Sequence, residues 1–429
     1  MRALAGETAG APPMLDPHVK PPREEAKPGS PVRWIPGDDE REKPESGLGL
    51  CLSGGGYRAM LFHVGAIWRL NELGYLKQLT RVSSVSGGSI AAAVLGQRWG
   101  KLEFKPTGPN GQPVAANLTA EVVAPIRSLA THTLDLPAVL TGMLLPGMTI
   151  GARLAAAYRR HLFGSATLQD LPGDKEGPRF VINSTNLQSG VLWRFSRPYA
   201  ADYRVGTISK PTVTLADAVA ASSAFPPILA PFRMRFEDSQ YDPKSGEDLQ
   251  TPPFTTHPTL ADGGVYDNLG LETAWKSCRT ILVSDGGGAM EADGGKFGPF
   301  RNWRWRDWGT QMSRVTMTID NQVRSLRKQQ TVEGYEAAED SDEHRLGTYW
   351  GIRSDIANFE LPTSMEAPWE KTFELAQTPT RLASLGTATQ DRLINWGYAI
   401  CDTAMRKWVD TSLPLPPGFP YPEHPLISG

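Results

Sequence analysis

Cysteine is scarce in this 429-residue chain: Cys51, Cys278 and Cys401 stand far apart, with no CxxC pair. That spacing argues against a disulfide framework and a zinc site, and it fits a reducing compartment. Net charge is scarce too. Lys plus Arg number 44 against 46 for Asp plus Glu, a formal net charge of -2, so no electrostatic footprint for nucleic acid is present and no nucleic-acid partner is expected. Long apolar runs are missing. The opening MRALAGETAGAPPMLDPHVKPP has no apolar stretch of signal-peptide length, and no uninterrupted run reaches the ~18 residues of a membrane span. The longest candidate, LPAVLTGMLLPGM from Leu136 to Met148, is broken by Pro146 and reads as a buried or interfacial segment. A soluble, cytoplasmic protein is expected. Internal repeats and low-complexity arrays are absent as well.

What is present is a 40 % hydrophobic content, enough for a sizeable core. Residues 1–46 are rich in Pro, Gly, Glu, Asp and Lys and poor in large apolar residues, which predicts a disordered tail. From Leu48 the pattern alternates. LGLCLS has the length of a buried strand, and YRAMLFHVGAIWRLNELG carries Met60, Val64, Ile67 and Leu70 at helical spacing, with Gly74 placed to end the helix. LTRVSSVSGGS reads as the next strand and SIAAAVLGQRWG as the next helix. Alternating strands and helices predict an α/β fold with a mostly parallel sheet covered on both faces. Further on, Arg179–Ser196 reads as a strand pair, Thr214–Pro226 as a helix and Arg279–Gly288 as a strand ending in glycines. Residues 47–290 are expected to form the core. Residues 291–429 are expected to be mainly helical and packed on it, with a long helix over Arg381–Val409.

Gly54, Gly55 and Gly56 sit at a strand-to-helix junction and are followed by Arg58. The pattern GGGxR fits neither the GxGxxG of a dinucleotide cradle nor the GxxxxGK of a phosphate loop. The remaining reading is an oxyanion hole: glycines let backbone N–H groups face a developing negative charge, and the start of a helix adds its positive end. A candidate nucleophile follows. In SSVSGGS, Ser86 lies between a strand and a helix with Gly87 and Gly88 after it, the setting of a nucleophile elbow, although Ser84 replaces the first glycine of the usual GxSxG. Ser83, Ser84 and Ser89 compete with it, and an ordinary Ser/Gly-rich turn is the plain alternative.

A serine nucleophile needs a base. Of the seven histidines only His257, just before PTLADGG, stays in contention. Asp262 in LADGGVYDNLG is the better candidate, because a carboxylate held at the serine hydroxyl takes its proton directly. Asp285 in SDGGG forms a second DGG after an apolar strand.

The ordered set of GGGxR, a serine elbow about thirty residues later and a distant DGG, together with NSTNLQSG and AASSAFPPI, resembles the patatin-like phospholipase family over about Leu48 to Gly288. The resemblance implies a three-layer α/β/α sandwich and hydrolysis of phospholipids or other lipid acyl esters. It implies Ser86 as nucleophile and Asp262 as base in a Ser-Asp dyad. Gly54, Gly55 and Gly56 then form the oxyanion hole, with Arg58 part of its motif. Asp262 is preferred to Asp285 because DGGVYDN, with Asn268 after the glycines, matches the family's segment. No metal or organic cofactor is implied. The alternative is a catalytically silent lipid-binding or scaffold protein on the same fold.

One stretch falls outside these motifs. FGPFRNWRWRDWG interleaves Trp303, Trp305 and Trp308 with Arg301, Arg304 and Arg306. Ordinary packing with cation–π pairs, peripheral contact with a membrane interface and stacking on single-stranded nucleic acid all fit it. The following MSRVTMTIDNQVRSLRKQQ has the pattern of an amphipathic helix packed on the core or on a partner.

Overall fold

The computed structural model describes residues 45–135, 149–226, 229–288 and 304–427. The Pro-rich leader up to residue 44, the Leu136–Met148 segment, Arg301 and Trp303 lie outside the described residues, as do the side chains of Arg304, Trp305, Arg306 and Trp308.

Ten strands form one mixed sheet: β1 (Glu45–Leu52), β2 (Leu79–Val85), β3 (Arg179–Asn186), β4 (Val191–Phe195), β5 (Tyr199–Asp202), β6 (Gly206–Ser209), β7 (Phe232–Arg233), β8 (Thr259–Asp262), β9 (Cys278–Asp285) and β10 (Leu346–Gly351). The order is β10-β9-β1-β2-β3-β4-β5-β6. The pairs from β10 to β3 are parallel, and those from β3 to β6 are antiparallel. β1 lies inside the parallel part and shows why the layers form. Leu50 and Leu52 point into a large core shared with the helices α1 (Gly56–Glu72) and α2 (Gly87–Arg98), while Cys51 points into a second core with Leu271, Ala274 and Val283 on the other face. A strand buried on both sides reads as a continuous apolar run.

β3 is shared in an unusual way. Its register with β2 runs as far as Val85↔Asn183, and its antiparallel register with β8 begins at Asp262↔Ser184. β4 pairs with Ile182–Asn186 along the opposite edge. β2 and β8 therefore abut end to end along one edge of β3.

Two helices are shorter than their apolar patterns, and in both places the backbone is engaged elsewhere. α3 (Leu215–Ser222) stops before Pro226, because the Ala224 carbonyl accepts the Asp262 N–H of β8 at 2.8 Å. The last long helix, α5 (Thr387–Trp408), begins six residues after Arg381. Arg381–Leu385 is instead a strap: the Arg381 carbonyl accepts the Tyr57 N–H at 3.0 Å, and the Leu385 N–H donates to Ala130 at 2.9 Å.

Beyond residue 290 the chain contributes the edge strand β10, the helix α4 (Arg304–Glu336) and α5. α5 crosses α1 at close range. A Cβ on Gly397 would stand 1.9 Å from the Phe62 carbonyl oxygen, and one on Gly65 2.0 Å from that of Ile394, so only glycines permit the crossing. Next to it, fully buried Asp402 accepts from Arg69 Nε at 2.8 Å and from Arg406 Nη2 at 2.7 Å. Removing one partner of a buried charge group leaves the others uncompensated. Asp402→Asn is expected to lower the free energy of unfolding by about 3–5 kcal/mol, read as a lower urea midpoint.

Candidate active site

The glycine loop is held from three sides. The Ser53 N–H donates to Ser284 O at 3.1 Å, Gly286 N donates to Ser53 Oγ at 2.8 Å, and the Ser53 carbonyl accepts from Gly88 N at 3.1 Å. Gly55 has φ 145° and Gly56 φ 61°, the region that favours glycine. A Cβ would meet the Gly286 carbonyl oxygen at 2.8 Å from Gly55, or the Arg381 carbonyl oxygen at 2.5 Å from Gly56. The Gly54 N–H is already used, donating to Asn268 Oδ1 at 2.9 Å and to the Asn268 carbonyl at 3.0 Å. Among the described residues, the N–H groups of Gly55 and Gly56 have no acceptor. Arg58, also in the motif, is almost fully buried. Its Nε donates to Gly286 O at 3.1 Å and its Nη1 to Thr378 O, tying the start of α1 to two loops. Burial and the nearby Arg324 lower its pKa to about 10.

Ser86 follows β2 and precedes α2, with φ 51° and ψ −117°, a conformation that costs on the order of 1–3 kcal/mol for a residue with a side chain. Two glycines make room for it: a Cβ on Gly87 would stand 2.2 Å from Gly56 O, and one on Gly88 2.2 Å from Leu52 O. Ser84 fits where an elbow usually has glycine because its hydroxyl donates to Val181 O at 3.2 Å and accepts from Ser89 at 3.1 Å. The rival serines are engaged elsewhere, since Ser83 donates to Gly270 O at 2.6 Å and Ser89 shares a bond with Ser222 at 2.9 Å.

Ser86 and Asp262 lie side by side, and the Asp262 carboxylate accepts the Gly264 N–H at 2.8 Å. They meet because β2 and β8 abut on β3. Burial raises the Asp262 pKa to about 7; the Gly264 N–H and the neighbouring Ser86 hydroxyl oppose the rise, and the negative charge of Asp320 adds to it. Both middle motifs brace the pair. Ser222 accepts the Ser86 N–H at 2.9 Å and donates to Asn183 O at 2.6 Å, while Thr185 donates to Asp262 O at 2.9 Å.

Asp285 lies at the end of β9, on the far side of β1 from β2. It accepts from Gly287 N at 2.8 Å and from the Tyr349 hydroxyl at 2.7 Å. Burial would raise its pKa, but the Arg324 charge and these hydrogen bonds hold it below the usual carboxylate value. His257 is exposed, beyond the start of β8, and bonded to Thr256 at 2.9 Å.

A family model, patatin-like phospholipase, matches residues 50–275. The chain belongs to the patatin-like phospholipase family. Among solved structures, human GIVD cytosolic phospholipase A2 is similar at 12% identity and TM-score 0.48, over 83% of this chain and 58% of that one. The same human protein in complex with methyl gamma-linolenyl fluorophosphonate inhibitor and terbium chloride gives 15% identity and TM-score 0.44, over 83% and 57%. VipD from Legionella pneumophila gives 15% and 0.33, over 84% and 66%. The chain thus spans less than two thirds of the length of the human phospholipase chains. No curated protein matches it.

Several residues at this patatin-like site carried no signal in the sequence. Buried His63 has Nε2 2.9 Å from Ser53 O and Nδ1 2.8 Å from Ser284 Oγ, and burial lowers its pKa to about 4. A neutral ring donating from Nε2 fits both partners and helps to fix the peptide that leads into the glycines. Asn268 also donates from Nδ2 to Asp320 Oδ1 at 2.7 Å, linking the loop to α4. Burial, first of all, raises the Asp320 pKa to about 6. His63 is an ordinary position on an apolar helix, and Asp320 is a lone acid in a polar one, so neither spacing marks a site. Among the described residues, one group, Asp391, Glu423 and His424, has metal-ligand atoms close together. Arg127 at 2.5 Å and His424 at 2.8 Å already hold the Asp391 carboxylate.

The two DGG carboxylates respond oppositely to pH. Asp285 is depressed, so its contribution to stability is present above the unfolded carboxylate pKa, near 3.9, and lost as pH falls through the lower folded value. Asp285→Asn is expected to cost about 1.5–3 kcal/mol at neutral pH. In thermal melts the gap to wild type should narrow below about pH 4.

Proposed function

We propose that this chain is a lipid acyl hydrolase, a phospholipase A or lysophospholipase-type serine esterase, working through Ser86 and Asp262. The observation that carries this reading is the placement, by the abutting ends of β2 and β8 on β3, of a strained, elbow-borne serine beside a buried carboxylate with pKa raised to about 7. A base tuned near the working pH combines a useful ionised fraction with a real affinity for the proton.

In this mechanism Ser86 Oγ attacks the ester carbonyl carbon and its proton passes to Asp262. The carbonyl oxygen becomes an oxyanion facing the N–H groups of Gly55 and Gly56, with the positive end of α1 behind them. Gly54 contributes through Asn268, which holds the loop, and Arg58 through its ties to Gly286 and Thr378. The intermediate collapses with loss of the alcohol, which takes the proton from Asp262. Water then attacks the acyl-enzyme and gives a proton to Asp262. The carboxylic acid leaves as that proton returns to Ser86. Every step uses groups of the chain, its substrate and water. Three buried free cysteines support a cytoplasmic setting, and among the described residues no helix is long and apolar enough to cross a membrane.

A fluorophosphonate probe is expected to label wild type and not Ser86→Ala; an unlabelled, folded wild type would favour the silent lipid-binding protein. With a soluble ester, kcat/KM should rise with pH through about 7 as Asp262 ionises. Asp262→Asn should lose about 10²–10⁴-fold and flatten that rise. A folded Asp262→Asn near wild-type turnover, with Asp285→Asn inactive, would move the base to Asp285.

A further inference from the structure

α4 has two distinct faces. One packs on the body of the protein: Asp320 holds Asn268, Arg324 donates to Gly288 O at 3.0 Å, Arg327 pairs with Glu272 at 2.8 Å, and Thr331 is fully buried. The flank beside it is apolar and bare. Met312, Val315, Ile319 and Leu326, spaced by three, four and seven residues, are between 43 and 55 % exposed. That spacing is one stripe along a helix. Single exposed apolar residues need no explanation, but an aligned set on one helix does.

We propose that this stripe of α4 is the surface by which the enzyme docks on an anionic lipid interface. The inference deepens the proposed function and rests on it, since a lipid acyl ester is presented at an interface. Charge selects the occupant. Apart from Arg324, Arg327 and Asp320, which the body holds, residues 304 to 328 of the helix carry Arg304, Arg306, Arg314 and Lys328 against Asp307, in a chain whose net charge is -2. A basic helix with an apolar stripe lies in an anionic membrane surface, whereas a second copy of the same helix would bring like charges together. The position fits as well. Asp320 follows Ile319 directly, and Asp320, Asn268 and the Gly54 N–H form a continuous hydrogen-bonded chain. A surface that seats the stripe therefore lies against the helix that holds the glycine loop beside Ser86.

The test compares wild type with Val315→Glu/Ile319→Glu by co-sedimentation with phosphatidylcholine vesicles, with and without phosphatidylglycerol. A soluble short-chain ester assay and sedimentation velocity run in parallel. The expected result is salt-sensitive binding of wild type to the anionic vesicles. The double variant should bind about tenfold or more weakly while cleaving the soluble ester at the wild-type rate. Equal binding of both proteins, or no binding by wild type, overturns the docking face and leaves the hydrolase reading intact. A wild-type dimer that the variant dissociates assigns the stripe to a second copy and also overturns it. Stripe-dependent vesicle binding with no cleavage of any ester supports the docking face and refutes the hydrolase instead.

Discussion

The site depends on how one edge of β3 is divided. β2 takes that edge as far as Asn183 and β8 takes it from Ser184. One strand arrives in parallel and turns sharply into α2; the other arrives antiparallel and ends in Asp262. Backbone pairing sets Ser86 and Asp262 side by side, so their proximity does not rely on flexible side chains finding each other. Strand register is strict where both faces are buried, because a one-residue slip would exchange the two faces of the strand. Ser222 and Thr185 then hold the two backbones where the register puts them.

The same constraint sets the electrostatics. Asp262 is buried at a strand junction where the charge acting on it is another carboxylate, Asp320, so burial dominates and its pKa rises. Asp285 has the same DGG sequence and similar burial, yet Arg324 and Tyr349 face it and its pKa falls. One motif thus yields a carboxyl of raised pKa in one place and a carboxylate of lowered pKa in another. The difference comes from α4 and β10, both of which follow the second DGG in the chain.

The later part of the chain is integral to the site. The Arg381 strap lies against Gly56, α5 crosses α1 through paired glycines, and α4 reaches the glycine loop through Asn268. These contacts pack against the segment that carries Gly55 and Gly56, where the backbone has little freedom to adjust without glycine. The 33-residue α4 carries the apolar flank of Met312, Val315, Ile319 and Leu326 on the same helix that holds the loop through Asp320 and Asn268.

Sequence alone determined the local features. Apolar runs, helical spacing and glycine clusters gave the alternating strands and helices, the GGGxR turn and the elbow at Ser86, because periodicity and glycine placement follow from short-range sterics. Carried by family resemblance, it also singled out Asp262 and Asn268. Tertiary structure decided everything that depends on distant partners. It placed Asp285 beyond β1, committed the Gly54 N–H to Asn268, turned Arg58 toward carbonyls of remote loops, and added His63, Ser222 and Asp320 to the site. It also ended α3 early and started α5 late, where the flanking backbone bonds to other elements. A residue's period in the chain reports which face it presents. Only the packed fold determines what that face meets, and burial, charge and hydrogen bonding act on those meetings.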